Sequence, residues 1–152
     1  MKLIDALNKD TIIADLIARD KKGVIEELAA PVASAAGVAK ETLTRVLMDR
    51  ERLGSTGIGG GIGIPHGKLK QIDSLILGFG ISRKGVSFES IDGKPTHIFF
   101  LLITPENSTG MHLKLLARIS KILKNDLFKE KLLHARDASE IFEIIKTEEE
   151  VI

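Results

Sequence analysis

The spacing of hydrophobic positions predicts two helices in the first third of the chain, over residues 20–36 and 39–52. Gly37 is the expected stop of the first helix, because glycine readily takes the left-handed conformation that ends helices. Pro31 lies inside that helix and removes one helical hydrogen bond, so we expect a kink there. The predicted core face of the first helix consists of Val24, Ile25, Leu28, Ala29 and Val32.

Strand-like patterns dominate the middle of the chain. Residues 11–17 are rich in Ile and Leu, although their period does not separate strand from helix. Further strands are predicted over 61–65, 75–82 and 96–104. The last of these reads T-H-I-F-F-L-L-I-T, which is typical of a strand buried on both faces. Residues 91–95 form a turn by their Asp-Gly and Pro chemistry.

Helical patterns return after the last strand. We predict helices from about Met111 to Lys124, from Asp126, and after an Asp137 cap, and we expect residues 148–150 to form a frayed acidic tail. With a short helical turn at residues 3–7 set aside, the order is β-α-α-β-β-β-α-α-α. This order predicts an α/β protein with a mixed sheet covered by helices on both faces.

Composition narrows the function classes. A length of 152 residues predicts one domain, and a net charge of +1 gives no indication of a nucleic-acid partner. The absence of Cys excludes thiol catalysis, disulfides and thiolate metal ligands. No apolar run is as long as a membrane span, and early charges interrupt any signal peptide. We therefore expect a cytoplasmic chain with no membrane insertion.

Seven of the 14 glycines fall between Gly54 and Gly67, in the segment G-S-T-G-I-G-G-G-I-G-I-P-H-G. Glycine lets backbone amides approach a ligand closely, so we interpret the segment as a cradle for an anion held against His66. The segment is not a P-loop, because Ile62 occupies the position of the first glycine in that motif. It is not a dinucleotide fingerprint either, because Ile62 and Ile64 occupy the position of the last glycine in the two possible registers. No H-E-x-x-H occurs, and four scattered histidines without Cys make only a weak case for structural zinc, so no metal site is expected.

Helical periodicity directs two further polar residues toward this loop. Arg50 continues the apolar stripe of Leu43, Val46 and Leu47, and His112 lies on the core face of its helix, four residues before Leu116. Arg50 could instead be a side chain that extends to water at the helix end. We favour an inward guanidinium, because the glycine-rich segment begins four residues later.

Phosphoryl transfer suits this set of groups. A neutral imidazole is a competent nucleophile near pH 7, and positioned N–H donors stabilise the transferred group without a metal. A lone histidine after a glycine-rich turn is nevertheless more often structural, so from the residues alone both roles of His66 stay open. His97 and His134 are expected to be packing or surface residues.

Residues 54–69 closely resemble the enzyme IIA domains of the bacterial phosphotransferase system, in the fructose–mannitol (type 2) family and most of all its nitrogen-regulatory branch. The resemblance extends to the Arg50-Glu51 pair, a buried strand ending in Pro105 and the helix opening with His112. It implies a single domain over residues 1–152 with a three-layer α/β/α sandwich, and no cofactor. Two departures are Gly63, where the family commonly has Ala, and Pro31 within a helix.

The resemblance also implies roles for individual residues. His66 would accept a phosphoryl group from an HPr-like carrier, beside Arg50 and His112. The expected phosphate-binding residues are Ser55, Thr56, Gly57, Gly59, Gly60 and Gly61.

We favour a nitrogen-regulatory role for such a protein over two alternatives. A nitrogen-regulatory protein would act on partner proteins through its phosphorylation state, and the Gly67-Lys68 ending resembles that branch. A sugar-specific IIA protein would instead pass the phosphoryl group to a separate IIB domain, since the chain has neither Cys nor membrane spans. The second alternative is a protein-binding module that is never phosphorylated.

Overall fold

The computed structural model describes residues 1–151, within which it forms six helices and six strands. The helices are α1 (Leu3–Ala6), α2 (Lys21–Ala36), α3 (Lys40–Arg52), α4 (Thr109–Ile122), α5 (Asp126–Leu133) and α6 (Ala138–Glu150). The strands are β1 (Leu7–Ile13), β2 (Gly57–Gly59), β3 (Ile62–Gly63), β4 (His66–Leu69), β5 (Ile76–Val86) and β6 (Thr96–Pro105).

All six strands of the described chain belong to one mixed sheet, in the order β1-β5-β6-β3-β2, with β4 also paired to β6. Strand β5 is antiparallel to β6, whereas β3 and β4 run parallel to it. The partner of Ile62 in β3 is Ile98, and the partner of His66 in β4 is Leu102. Strands β3 and β4 therefore follow each other along the same edge of β6.

Strand β6 divides the hydrophobic core into two. Its alternate residues Ile98, Phe100 and Leu102 pack in one cluster with side chains of α1, α4, α5 and α6. Phe99, Leu101 and Ile103 point the other way and pack with α2 and α3. This alternation follows from the pleat of a strand. It confirms the α/β class and the three-layer arrangement of helices around a mixed sheet.

Helix α2 lies close against β5 because the strand carries glycine on that face. A Cβ at Gly78 would lie 2.7 Å from the Val32 Cγ2 atom, and one at Gly80 would lie 2.8 Å from methyl groups of Leu16 and Leu28. The Asp20 side chain caps the helix, and Gly37 ends it in the left-handed conformation. The helix continues through Pro31 to Ala36.

The first strand lies earlier than the pattern predicts, at Leu7–Ile13 instead of residues 11–17. Residues 8–10 are polar and exposed, so the pattern of hydrophobic positions does not reveal this part of the strand. The ladder with β5 is irregular between Leu7 and Ile12, and the Thr11 hydroxyl there donates to the Leu77 carbonyl. Strands β2 and β4 were not predicted either, because glycine and histidine carry no strand pattern.

The predicted acidic tail is also wrong, because α6 extends to Glu150 and Glu149 is buried. The Glu149 carboxylate accepts hydrogen bonds from the backbone N–H groups of Leu3 and Ile4, at 2.7 and 3.0 Å. Arg118 of α4 donates its Nε–H to the same carboxylate, at 2.8 Å. The buried charge is therefore satisfied, and it joins the last helix to the first.

Candidate active site

His66 is the first residue of β4 and is partly buried. Its Nδ1 atom lies 2.7 Å from the Ile64 carbonyl oxygen. A carbonyl oxygen can only accept a hydrogen bond, so Nδ1 carries the proton and Nε2 keeps its lone pair. The structure thereby fixes one tautomer of His66, with the ring lone pair on Nε2.

His112 lies beside His66, although the two are far apart in sequence. It occupies the first turn of α4 and is only 6% exposed. The centroids of the two imidazole rings are 5.3 Å apart, and the rings meet edge to face at 63°. The His112 Nδ1 atom is 2.7 Å from the Thr104 hydroxyl oxygen at the end of β6.

Arg50 completes this group, as helical periodicity predicts. It lines the same open cavity as the two histidines, with a volume of about 390 Å³. Its Nη1–H donates to the Gly54 carbonyl at 2.9 Å, which holds the guanidinium at the start of the glycine-rich segment. The cavity is lined by Val46, Asp49, Arg50, Leu53, His66, Gly67, Lys68 and His112.

Close packing of β4 on α3 makes this arrangement possible. A Cβ at Gly67 would lie 2.8 Å from the Val46 Cγ1 atom, so only glycine lets the strand approach the helix this closely. The neighbouring Lys68 donates from Nζ to the Thr109 hydroxyl at 2.7 Å, which links β4 to the start of α4.

Both site histidines are neutral at pH 7. Burial is the main cause that lowers the pKa of His66, and the Arg50 charge lowers it further, while the Ile64 carbonyl and Glu51 act in the opposite direction. Burial also lowers the pKa of His112, to about 4, with further contributions from His66 and Lys68. A neutral imidazole is the form that can attack phosphorus or donate one N–H bond.

The buried carboxylate of Glu51 is connected to His66 through a series of hydrogen bonds. Glu51 accepts hydrogen bonds from the backbone N–H and the hydroxyl of Thr56, and its Oε1 atom lies 3.0 Å from Lys21 Nζ. The Thr56 carbonyl accepts the Ile64 N–H at 3.0 Å, and the Ile64 carbonyl accepts the His66 Nδ1–H. A continuous hydrogen-bonded path therefore runs from Glu51 to the imidazole.

The roles of Glu51 and Lys21 in holding the site are not among the predictions from the sequence. A signal for Glu51 was present, because Leu43, Leu47 and Glu51 recur at four-residue spacing on the buried face of α3. The pairing with Lys21 joins two separate helices and leaves no trace in either helix pattern.

The two hydroxyl residues predicted for phosphate binding are engaged within the protein. The Ser55 hydroxyl donates to the Phe88 carbonyl at 2.9 Å and accepts the Gly57 N–H at 3.1 Å. The Thr56 hydroxyl donates to Glu51. These contacts hold the beginning of the glycine-rich segment against α3 and the chain after β5.

The predicted glycine cradle does not lie beside His66. Gly59 ends β2, and Gly60 and Gly61 form the turn to β3. Their φ angles of 92°, 66° and 80° favour glycine. The Gly61 carbonyl accepts the Ile98 N–H, whereas His66 is level with Leu102. Four residues along a strand separate these levels by about 13 Å. The structure therefore brings Arg50, His66 and His112 together but not these glycines, and Gly57 likewise lies outside the cavity lining.

Residues 1–151 contain no group of three or more His, Asp or Glu side chains that could hold a metal ion. Over the same residues, no helix has the length and apolar character required to cross a bilayer.

Comparison with known proteins gives consistent matches over nearly the whole chain. A family model described as the phosphoenolpyruvate-dependent sugar phosphotransferase system, EIIA 2, matches residues 5–148. A nitrogen regulatory protein of Bradyrhizobium diazoefficiens is 37% identical over 145 residues, which cover 95% of both chains. The fructose-specific EIIABC component of Bacillus subtilis is 34% identical over 95% of this chain, although the match spans only 23% of that longer protein.

A solved structure gives the same result. The crystal structure of the nitrogen regulatory protein IIA-Ntr from Neisseria meningitidis superposes with a TM-score of 0.89 at 31% identity. The match covers 94% of this chain and 98% of that one.

Proposed function

The chain belongs to the EIIA 2 family of the phosphoenolpyruvate-dependent sugar phosphotransferase system, and on this basis we propose that it accepts a phosphoryl group on His66 from an HPr-like carrier. Members of this family are phosphotransfer components. The observation that carries the proposal is the His66 Nδ1–H bond to the Ile64 carbonyl, because it leaves the Nε2 lone pair free at a cavity shared with Arg50 and His112.

The proposed step is a transfer between two imidazoles. The Nε2 lone pair of His66 attacks the phosphorus atom of the carrier's phosphohistidine and forms a new N–P bond. The N–P bond of the carrier breaks, and its electron pair stays on the carrier's imidazole nitrogen. The Nδ1 proton of His66 remains in place, so the phosphorylated ring is held by the same Ile64 carbonyl.

Arg50 and His112 stabilise the charge of the transferred group in this proposal. The guanidinium offers N–H donors from the α3 side of the cavity, and His112 offers a neutral imidazole from the α4 side. Phosphoryl transfer has a loose transition state, so positioned donors provide most of the catalysis. Ser55 and Thr56 act indirectly, by holding the backbone between Arg50 and His66.

Intact mass tests the proposal directly. The protein is incubated with phosphoenolpyruvate, enzyme I and an HPr-like carrier, and the expected product carries one acid-labile phosphoryl group. His66→Ala should remain unmodified, whereas the matched variant His134→Ala should be phosphorylated like wild type, because His134 lies at the exposed end of α5. Absence of any mass gain in the wild-type protein would reject the proposal and favour the protein-binding module.

Arg50 can be tested against a neighbour on the same helix. Arg50→Ala should slow phosphorylation about 100-fold or more, the usual loss when one transition-state donor is removed. Arg52→Ala is the control, since Arg52 is largely exposed and its ion-pair partner is Asp49. Equal rates for the two variants would remove Arg50 from the site.

We propose the regulatory outlet for the phosphorylated protein, because the relatives similar over their full length include a nitrogen regulatory protein and a IIA-Ntr structure. The phosphoryl group places negatively charged oxygens at the rim of the cavity, which changes the partners that bind there. The fructose-specific relative supports the alternative outlet, transfer to a separate IIB domain.

The two outlets separate in one chase experiment. The radiolabelled phosphoprotein is mixed with a purified fructose-type IIB domain, and the label is followed over time. Label retained on His66 agrees with the regulatory outlet, and rapid transfer to the IIB domain would establish the sugar-specific one.

A further inference from the structure

The side chain hydrogen-bonded to His112 Nδ1 is a threonine that the phosphotransfer proposal does not use. Thr104 lies near the end of β6 and is fully buried. Its hydroxyl oxygen is 2.7 Å from His112 Nδ1, across the turn that joins β6 to α4. Since Nδ1 is held by this buried group, Nε2 is the ring nitrogen left for the cavity shared with His66.

The hydrogen-bonding capacity of the two groups decides which one donates. A threonine hydroxyl can donate or accept, and so can Nδ1 of a neutral imidazole, depending on its tautomer. Among residues 1–151 the Thr104 hydroxyl contacts no other hydrogen-bond partner. If Nδ1 donated to the hydroxyl oxygen, the hydroxyl hydrogen would be buried without an acceptor, which is destabilising. If the hydroxyl donates to Nδ1, both groups are satisfied.

We propose that Thr104 is a positioning residue that donates its hydroxyl hydrogen to His112 Nδ1 and so holds the His112 proton on Nε2. His112 then presents an N–H donor to the cavity in which His66 presents a lone pair. The two neighbouring imidazoles thus have opposite tautomers, each fixed by a contact at its own Nδ1. The catalytic consequence rests on the phosphotransfer role proposed above, whereas the tautomer itself does not.

The tautomer assignment can be measured in the unphosphorylated protein. In ¹⁵N-labelled protein near pH 7, long-range ¹H–¹⁵N correlations distinguish protonated from unprotonated ring nitrogens. We expect Nε2–H for His112 and Nδ1–H for His66 in the same spectrum. A His112 ring protonated on Nδ1 would overturn the inference, whether or not the protein accepts a phosphoryl group.

Variants test the consequence for transfer. Thr104→Val keeps the shape of the side chain and removes the hydroxyl, and it should slow phosphorylation of His66 about five- to tenfold, the loss expected for one positioning hydrogen bond. Thr104→Ser restores the hydroxyl and should return the rate to within about twofold of wild type.

A matched control lies on the same strand. Thr96 is also fully buried in β6, but its hydroxyl has no hydrogen-bond partner within the described residues. Thr96→Val should therefore leave both the His112 tautomer and the transfer rate unchanged. If Thr104→Val transfers as fast as Thr96→Val while wild type is active, Thr104 does not position His112. If wild type accepts no phosphoryl group, the phosphotransfer role fails and the tautomer spectrum still decides this inference.

Discussion

The buried ion pair between Lys21 and Glu51 gives a quantitative test of how the site is held in place. We consider the variant Glu51→Ala. The Glu51 side chain is only 2% exposed, and it is bonded by Lys21 and by two donors of Thr56. Its removal leaves Lys21, which is 10% exposed, with the exposed Glu89 as its only remaining ion-pair partner in the described chain.

The expected loss of stability is large. The variant should cost about 3–5 kcal/mol, because Lys21 keeps only the exposed Glu89 as an ion-pair partner and both Thr56 donors lose their acceptor. For a domain of this size, the free energy of unfolding falls by roughly 2 kcal/mol per molar urea, so the unfolding midpoint should fall by about 1.5–2.5 M urea. Equilibrium urea unfolding followed by circular dichroism measures the shift. The control is Arg136→Ala, which removes an exposed pair with Glu140 and should cost about 0–1 kcal/mol.

A second variant separates the unpaired charge from the lost hydrogen bonds. The double variant Lys21→Met/Glu51→Ala removes both charges, so it should recover about 1–3 kcal/mol relative to the sum of the single changes. Additive losses would mean that the two charges do not interact. If Glu51→Ala unfolds at the same urea concentration as Arg136→Ala, the Glu51 carboxylate does not stabilise the fold. The hydrogen-bonded path from Glu51 to His66 would then contribute nothing to the free energy of unfolding.

Three further predictions address titration, packing and the glycine turn. The pKa values of His66 and His112 lie below the usual 6.5, so the folded state binds fewer protons than the unfolded state and loses stability as the pH falls below 6.5. For His112 this loss continues down to a pH of about 4, and an NMR titration of His112 with a midpoint at or above 6.5 would contradict the prediction. Gly78→Ala places a Cβ 2.7 Å from a Val32 methyl group and should cost about 1–3 kcal/mol in urea unfolding, and an unchanged midpoint would show that α2 can move away freely. Gly61→Ala, at a φ of 80°, should lower the free energy of unfolding by about 1–2 kcal/mol, while His66 is phosphorylated at the wild-type rate. A folded variant that is no longer phosphorylated would show that the glycine turn takes part in the active site.

Local periodicity predicts those parts of the fold in which one face of an element is buried. The apolar run of β6 and the stripes of α2 and α3 were predicted from spacing alone, since burial imposes a regular pattern on them. The same spacing places Arg50 and His112 toward the protein, and the structure brings both to the cavity of His66. Strand β1 was misplaced because its polar residues 8–10 interrupt the pattern.

Contacts between distant segments account for the rest. A run of glycines is compatible with an anion cradle and with a tight turn, and composition does not distinguish them. The structure does so through the positive φ angles of Gly59, Gly60 and Gly61 and their distance from His66 along β6. The Thr104 contact with His112 and the Lys21 contact with Glu51 depend on where two elements meet, so neither sequence segment contains that information.

The Glu149 carboxylate has a consequence for how such a domain can be joined to others. It holds the backbone of Leu3 and Ile4, so the polypeptide enters and leaves the fold at adjacent points. A module with neighbouring entry and exit points can be inserted into a longer chain without stretching either connection. The similar segment of the Bacillus subtilis protein is part of a much longer polypeptide. Shortening such a module by its last few residues would also remove the carboxylate that binds its first helix, so the two ends are structurally linked.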